Sequence, residues 1–183
     1  MINDYEATKP MDVDAVPVSS QPAIEPNDAV ISTLNGLIET CKDGEEGFRD
    51  AAEGVVRSDL KTTFYEFSQQ RAQFAGVLQQ LVRSLGGDPE SGGSISGVVH
   101  RQWINLKSAI TGKDEGAILN ECERGEDHAK DAYTRALELK LPANVADIIR
   151  QQSQSVQAAH NKIKALRDGY AEADKYNTAK PGF

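Results

Sequence analysis

Apolar positions recur at spacings of three and four along most of this chain, the repeat of helices that bury one face. The first stripe is Leu34, Ile38, Cys41, Phe48, Ala52 and Val55. It predicts a helix from Asn27 or Asp28, either one a good N-cap behind Pro26, to about Arg57. Ser58 or Asp59 opens a second helix with the stripe Leu60, Phe64, Phe67, Phe74, Leu78, Leu81 and Leu85, stopped by Gly86-Gly87 and Asp88-Pro89. Beyond a Gly/Pro/Ser loop over 86–94, Ile95 to Ile110 predicts a shorter helix carrying Val98, Val99, Trp103 and Leu106. Thr111-Gly112-Lys113-Asp114 breaks it. The third long helix, about 114–140, shows Leu119, Cys122, Ala129, Tyr133 and Leu137. Leu141-Pro142 turns the chain into a last helix to about Ala173, with Val145, Ile149, Gln152, Val156, Ala159, Ile163, Leu166 and Tyr170 on one face.

No stretch alternates as a strand would. The expected fold is therefore all-α: a four-helix bundle of long amphipathic helices, with a short crossover helix between the second and third. Residues 1–26 scatter Pro10, Pro17, Pro22 and Pro26 among acids and small residues, and read as a disordered acidic tail. The bundle is expected over 27–173, with a frayed C-terminal tail over 174–183.

Charge and length narrow the function classes. The 183 residues suit one domain with a real core. The net charge is -8, of which -5 falls in residues 1–28, so the helical part is only mildly acidic. It carries no basic stripe of the kind that binds nucleic acid. No apolar run approaches the ~18–20 residues needed to span a bilayer, and no basic and apolar leader stands at the start. A cytoplasmic protein without a membrane role is expected. Cys41 and Cys122, both on amphipathic helices, read as packed, reduced thiols.

One sequence feature organises the chemistry. Cys41 to Ala51 and Cys122 to Ala132 share the pattern C-x-x-G-E-[ED]-x-x-[RK]-D-A, which reads as an internal duplication and makes Glu45 and Glu126 equivalent. Both glutamates fall on their apolar stripes, as Arg71 does on the second helix, and His160 lies on the shoulder of the last stripe. Antiparallel pairing puts all four near mid-bundle, so Glu45, Arg71, Glu126 and His160 are expected in one interior belt. Gln157, Tyr133 and Glu123 are candidates to support it.

Two buried carboxylates must be paired, hydrogen-bonded or metal-bound. One reading has Arg71, His160, Tyr133 and glutamines satisfying them in a closed network. The other has Glu45, Glu126 and His160 holding iron or manganese, since two carboxylates and an imidazole suit such ions. Di-iron carboxylate bundles add a Glu-x-x-His to each of two helices. This chain offers only Gln157-x-x-His160, and Arg71 stands at the belt on the second helix. His100, Arg101 and Trp103 on the crossover form a further motif, for packing or for a partner surface.

Several runs together resemble a known family. They are Asp43-Gly44 with Phe48, Ala51, Ala52 and Glu53; Arg71-x-x-Phe74; Gly86-Gly87-x-Pro89; and His100-Arg101-x-Trp103. To these add Glu123-Arg124-Gly125-Glu126-Asp127, Leu141-Pro142, and His160 followed by Ile163 and Leu166-Arg167-Asp168. Over about 28–172 the chain is similar to an uncharacterised bacterial family of ferritin-like four-helix-bundle proteins, a domain of unknown function in the ferritin-like superfamily. The resemblance implies a ferritin-like fold, and relatives in the superfamily bind iron and act as ferroxidases, peroxide scavengers or oxygenases. Three functional readings follow. The first is a stress-related bundle with a degenerate or mononuclear iron or manganese site and no turnover. The second is a metal-free structural or interaction bundle acting through self-association or a protein partner. The third is a di-iron oxidase. A homo-oligomer is expected.

Overall fold

The computed structural model describes residues 27–89 and 105–178. Five helices make up this part: α1 (Asn27–Gly54), α2 (Ser58–Ser84), α3 (Leu106–Thr111), α4 (Glu115–Leu137) and α5 (Ala143–Thr178). Among the described residues there is no strand, so the all-α reading holds. The expected N-terminal tail, most of the crossover helix with His100, Arg101 and Trp103, and the last five residues lie outside them.

Local signals set the helix ends. α2 closes on Gly86 at φ 82, where the Gly86 and Gly87 amides donate back to the Arg83 and Val82 carbonyls. That left-handed turn favours a residue without Cβ. Asp114 caps α4 by accepting from the Ala117 amide at 3.0 Å. Two ends differ from the sequence expectation. α1 stops at Gly54, against which Ile110 of α3 packs so closely that a Cβ there would lie 2.5 Å from its Cγ1. α5 runs on to Thr178, past the expected end at Ala173.

α1 packs along α2, α4 along α5, and α1 on α4, whereas α2 meets α5 only lightly. α3 seats on α1 and α4. α2 and α4 therefore face each other across the diagonal of the core, their backbones held apart by side chains.

The core is cut into two apolar halves. One gathers Val30, Leu34, Leu37 and Ile38 with Ala75, Leu78, Val82, Ala136, Val145 and Ile149. The other gathers Phe48, Ala51, Ala52 and Val55 with Leu60, Phe64, Phe67, Ile118, Leu119 and Ile163. On α1 the break falls between Cys41 and Phe48, on α2 between Phe67 and Ala75, and on α4 between Cys122 and Ala129. Arg71 and Glu126 stand in that break, where each helix's apolar stripe is interrupted.

Candidate functional site

Arg71 and Glu126 meet across the diagonal, each side chain 2% exposed. Arg71 Nη2 donates to both carboxylate oxygens of Glu126 at 2.7 Å. This leaves Arg71 Nε and Nη1 buried with no protein acceptor among the described residues. The guanidinium also lies over the Phe74 ring, 5.6 Å from its centroid. Burial pushes the Glu126 carboxyl up, and the Arg71 charge pulls it part of the way back.

Gly44 makes room for this pair. A Cβ at Gly44 would sit 3.2 Å from Arg71 Cγ, tighter than ordinary contact, so the bare backbone of α1 lets the arginine stem pass close beneath it. That close approach decides which face of α1 points inward. The sequence placed Glu45 on the core line, and the height is right, since Ser68 Oγ donates to the Glu45 carbonyl at 2.8 Å, just below Arg71. The direction is not. Gly44 points at Arg71 and Glu45 is left half-buried beside the belt. The duplicated motif is thus unequal in three dimensions: Cys41 and Cys122 are both buried, but only Glu126 of the two glutamates reaches the centre.

His160 is buried at the same level, but its Nε2 faces Asp127 Oδ1 at 2.9 Å, not a pair of glutamates. Glu123 is buried and ion-paired with Arg167 on α5. Gln157 is exposed and spans one helix turn to Asn161 at 2.9 Å, so it does not join the belt. The buried glutamine of α5 is Gln152, which lies in a separate layer.

Two turns along α4 from Glu126, a second polar layer crosses all four long helices. Tyr133 Oη donates to Gln152 Oε1 at 2.7 Å. A phenol has one proton, so the 3.2 Å contact between Cys41 Sγ and Tyr133 Oη is the thiol donating to the phenol oxygen. Gln152 Nε2 then donates to the Phe74 carbonyl at 3.4 Å. The chain runs from Cys41 on α1 through Tyr133 on α4 and Gln152 on α5 to the α2 backbone. Burial raises the Cys41 thiol to about 11 and pushes Tyr133 and Cys122 well up, so neither thiol supplies a thiolate nucleophile near neutral pH.

Among the described residues no three His, Cys, Asp or Glu side chains gather at metal-binding spacing. Glu126 has both oxygens committed to a fixed cation. Of the expected trio, Glu126 is held by Arg71, His160 lies close enough to act on Glu126 but turns its Nε2 to Asp127, and Glu45 is left half-buried. Sequence reasoning missed Asp127 and Arg167, which take His160 and Glu123. Their i, i+4 spacings from Glu123 on α4 and from Ile163 on α5 were the available signal.

The described structure is an all-α protein with a double polar layer in its core and, among the described residues, no helix long and apolar enough to cross a membrane. Residues 29–139, from the start of α1 to just past α4, match the family DUF2383, a domain of unknown function, and the chain belongs to that family. No curated protein matches the chain.

Proposed function

We propose that this DUF2383 member is a ferritin-like four-helix bundle without a metal centre, acting as a structural or interaction module in the cytoplasm and not by turnover. The observation that carries this reading is the capture of both Glu126 oxygens by Arg71. A guanidinium stays charged at any working pH and competes with metal ions for the same carboxylate. Pulling Glu126 onto a metal would strand the arginine in the core, at a cost of about 3–5 kcal/mol. The mononuclear reading at Glu45, Glu126 and His160 and the di-iron oxidase reading both need that step. A core sealed by ion pairs and hydrogen bonds suits a bundle that works through its outer helix faces, with a second copy or another protein as partner.

Metal content tests the reading. Untagged protein purified without chelators goes to elemental mass spectrometry beside Glu45→Ala/Glu126→Ala, before and after anaerobic ferrous loading. The expected result is far less than one iron or manganese per chain, equal in both proteins. Near-stoichiometric metal that disappears in the double variant would overturn it, and oxygen uptake after loading would establish the oxidase instead.

A further inference from the structure

Resting on the association part of that reading, we infer that the groove between α1 and α4 is the face through which two copies of this chain pair about a two-fold axis. The groove encloses about 460 Å³ and is lined by Thr33, Gly36, Glu39 and Thr40 of α1 and by Ala132 and Arg135 of α4, among others. Leu37, His128 and Leu139 also line it, and nothing lies within 4 Å of where a Gly36 Cβ would be, so a second backbone can come close at that point.

The argument for a second copy is charge and symmetry. α1 and α4 run antiparallel, as two contacts fix. The Val56 and Arg57 amides donate to Glu115 Oε1 at one end, and Cys41 meets Tyr133 further along. This register sets Glu39 level with residues 132–135, on opposite walls of the groove from Arg135. A two-fold axis running along the groove, in the plane of the face, exchanges the two walls and keeps every residue at its height. Glu39 of one copy then lies opposite Arg135 of the other, twice over, as an isologous interface requires. One turn further along the same faces, exposed Lys42 is level with exposed Asp131, opposite in sign again. Glu39 and Arg135 form no ion pair with each other within the chain; burial raises the Glu39 carboxyl against only the pull of Lys42. The face is also large enough. Two helices side by side, ~20 Å across and ~35 Å long, give roughly 700 Å², near the ~800 Å² per partner of a standard interface.

Charge reversal tests the pairing. Sedimentation equilibrium on the full chain should show a wild-type dimer. Glu39→Arg and Arg135→Glu should each weaken it roughly 100-fold or more through like-charge contacts. Mixing the two variants should restore a dimer of one copy each with near wild-type affinity, because every contact in the mixed pair is again opposite in sign. If Glu39→Arg fails to fold, Gly36→Trp replaces it: the monomer has room there, and the indole fills the groove. A wild type that stays monomeric, or a dimer indifferent to Arg135→Glu and Gly36→Trp, would overturn the inference. Neither result touches the metal-free reading, which the metal content decides separately.

Discussion

Arg71→Met, alone, should destabilise the protein by about 3–5 kcal/mol, because it strands Glu126 as an unpaired carboxylate deep in the core. Glu126→Leu should cost a similar amount by stranding the guanidinium. The double variant should behave quite otherwise. The wild-type pair holds two charges out of water with side chains 2% exposed, and Arg71 still has Nε and Nη1 without protein acceptors. Each such orphan costs about 1–3 kcal/mol. An apolar methionine and leucine of similar reach remove both the charges and the orphans, so the double variant should fall between neutral and about 4 kcal/mol more stable than wild type. The non-additivity far exceeds the ~0.5–3 kcal/mol of ordinary contacting residues. Urea unfolding followed by far-UV circular dichroism gives all four free energies, provided the slope with denaturant stays constant. For a chain of this length, the single variants should melt roughly 6–20 °C lower. Single-variant losses below about 1 kcal/mol would mean that the charges reach water, as surface pairs do, and that the diagonal layer is misplaced. A double variant that loses the sum of the two singles would mean that the residues act independently.

Four further outcomes follow from the same geometry. Tyr133→Phe should cost about 1–3 kcal/mol in urea unfolding, since it orphans Gln152 Oε1 and removes the acceptor of the Cys41 thiol; a neutral change would break the proposed relay. Gly44→Ala should destabilise by about 1–3 kcal/mol through the 3.2 Å approach to Arg71 Cγ, whereas Gly76→Ala, with open space around its Cβ, should stabilise by roughly 0.5–1 kcal/mol. Cys41 and Cys122 should stay silent to Ellman's reagent in the native state and react only on unfolding, because both are buried and shifted up. His128 is held below its ordinary value by burial and by Arg135. The unfolded chain therefore takes up its proton first, and stability present above about pH 6.5 should fall as the pH drops through that range. His128→Gln should flatten the fall in urea titrations at stepped pH, and an unchanged profile would refute the assignment.

Helix periodicity alone determined much of this protein. The stripes located four long helices, and most residues placed on them are buried, from Leu34 and Ile38 to Ile149 and Ile163, while Phe74, Leu81, Leu85, Leu137, Leu166 and Tyr170 are half-buried at the edges of the core. Heights were legible too. With antiparallel helices joined by short turns, counting residues from each turn puts Glu45 beside Arg71 and Glu126 beside His160, and the described contacts fall at those levels. What counting cannot supply is rotation about the helix axis. Adjacent positions lie about 100° apart, and both 41–44–48 and 41–45–48 satisfy a three-and-four pattern. Packing chose between them. The arginine stem needs a bare backbone beside it, so Gly44 turned inward and Glu45 was displaced. The same ambiguity sent His160 to Asp127 and brought Glu123 to Arg167, whereas Gln152 is buried where its stripe placed it. Charged residues on the apolar stripes, Arg71 and Glu126 among them, specified that the core would carry charge. Only the tertiary structure decided that the charge would be closed by one arginine and one glutamate across the bundle's diagonal, because that choice depends on which side chains fit when four helices press together.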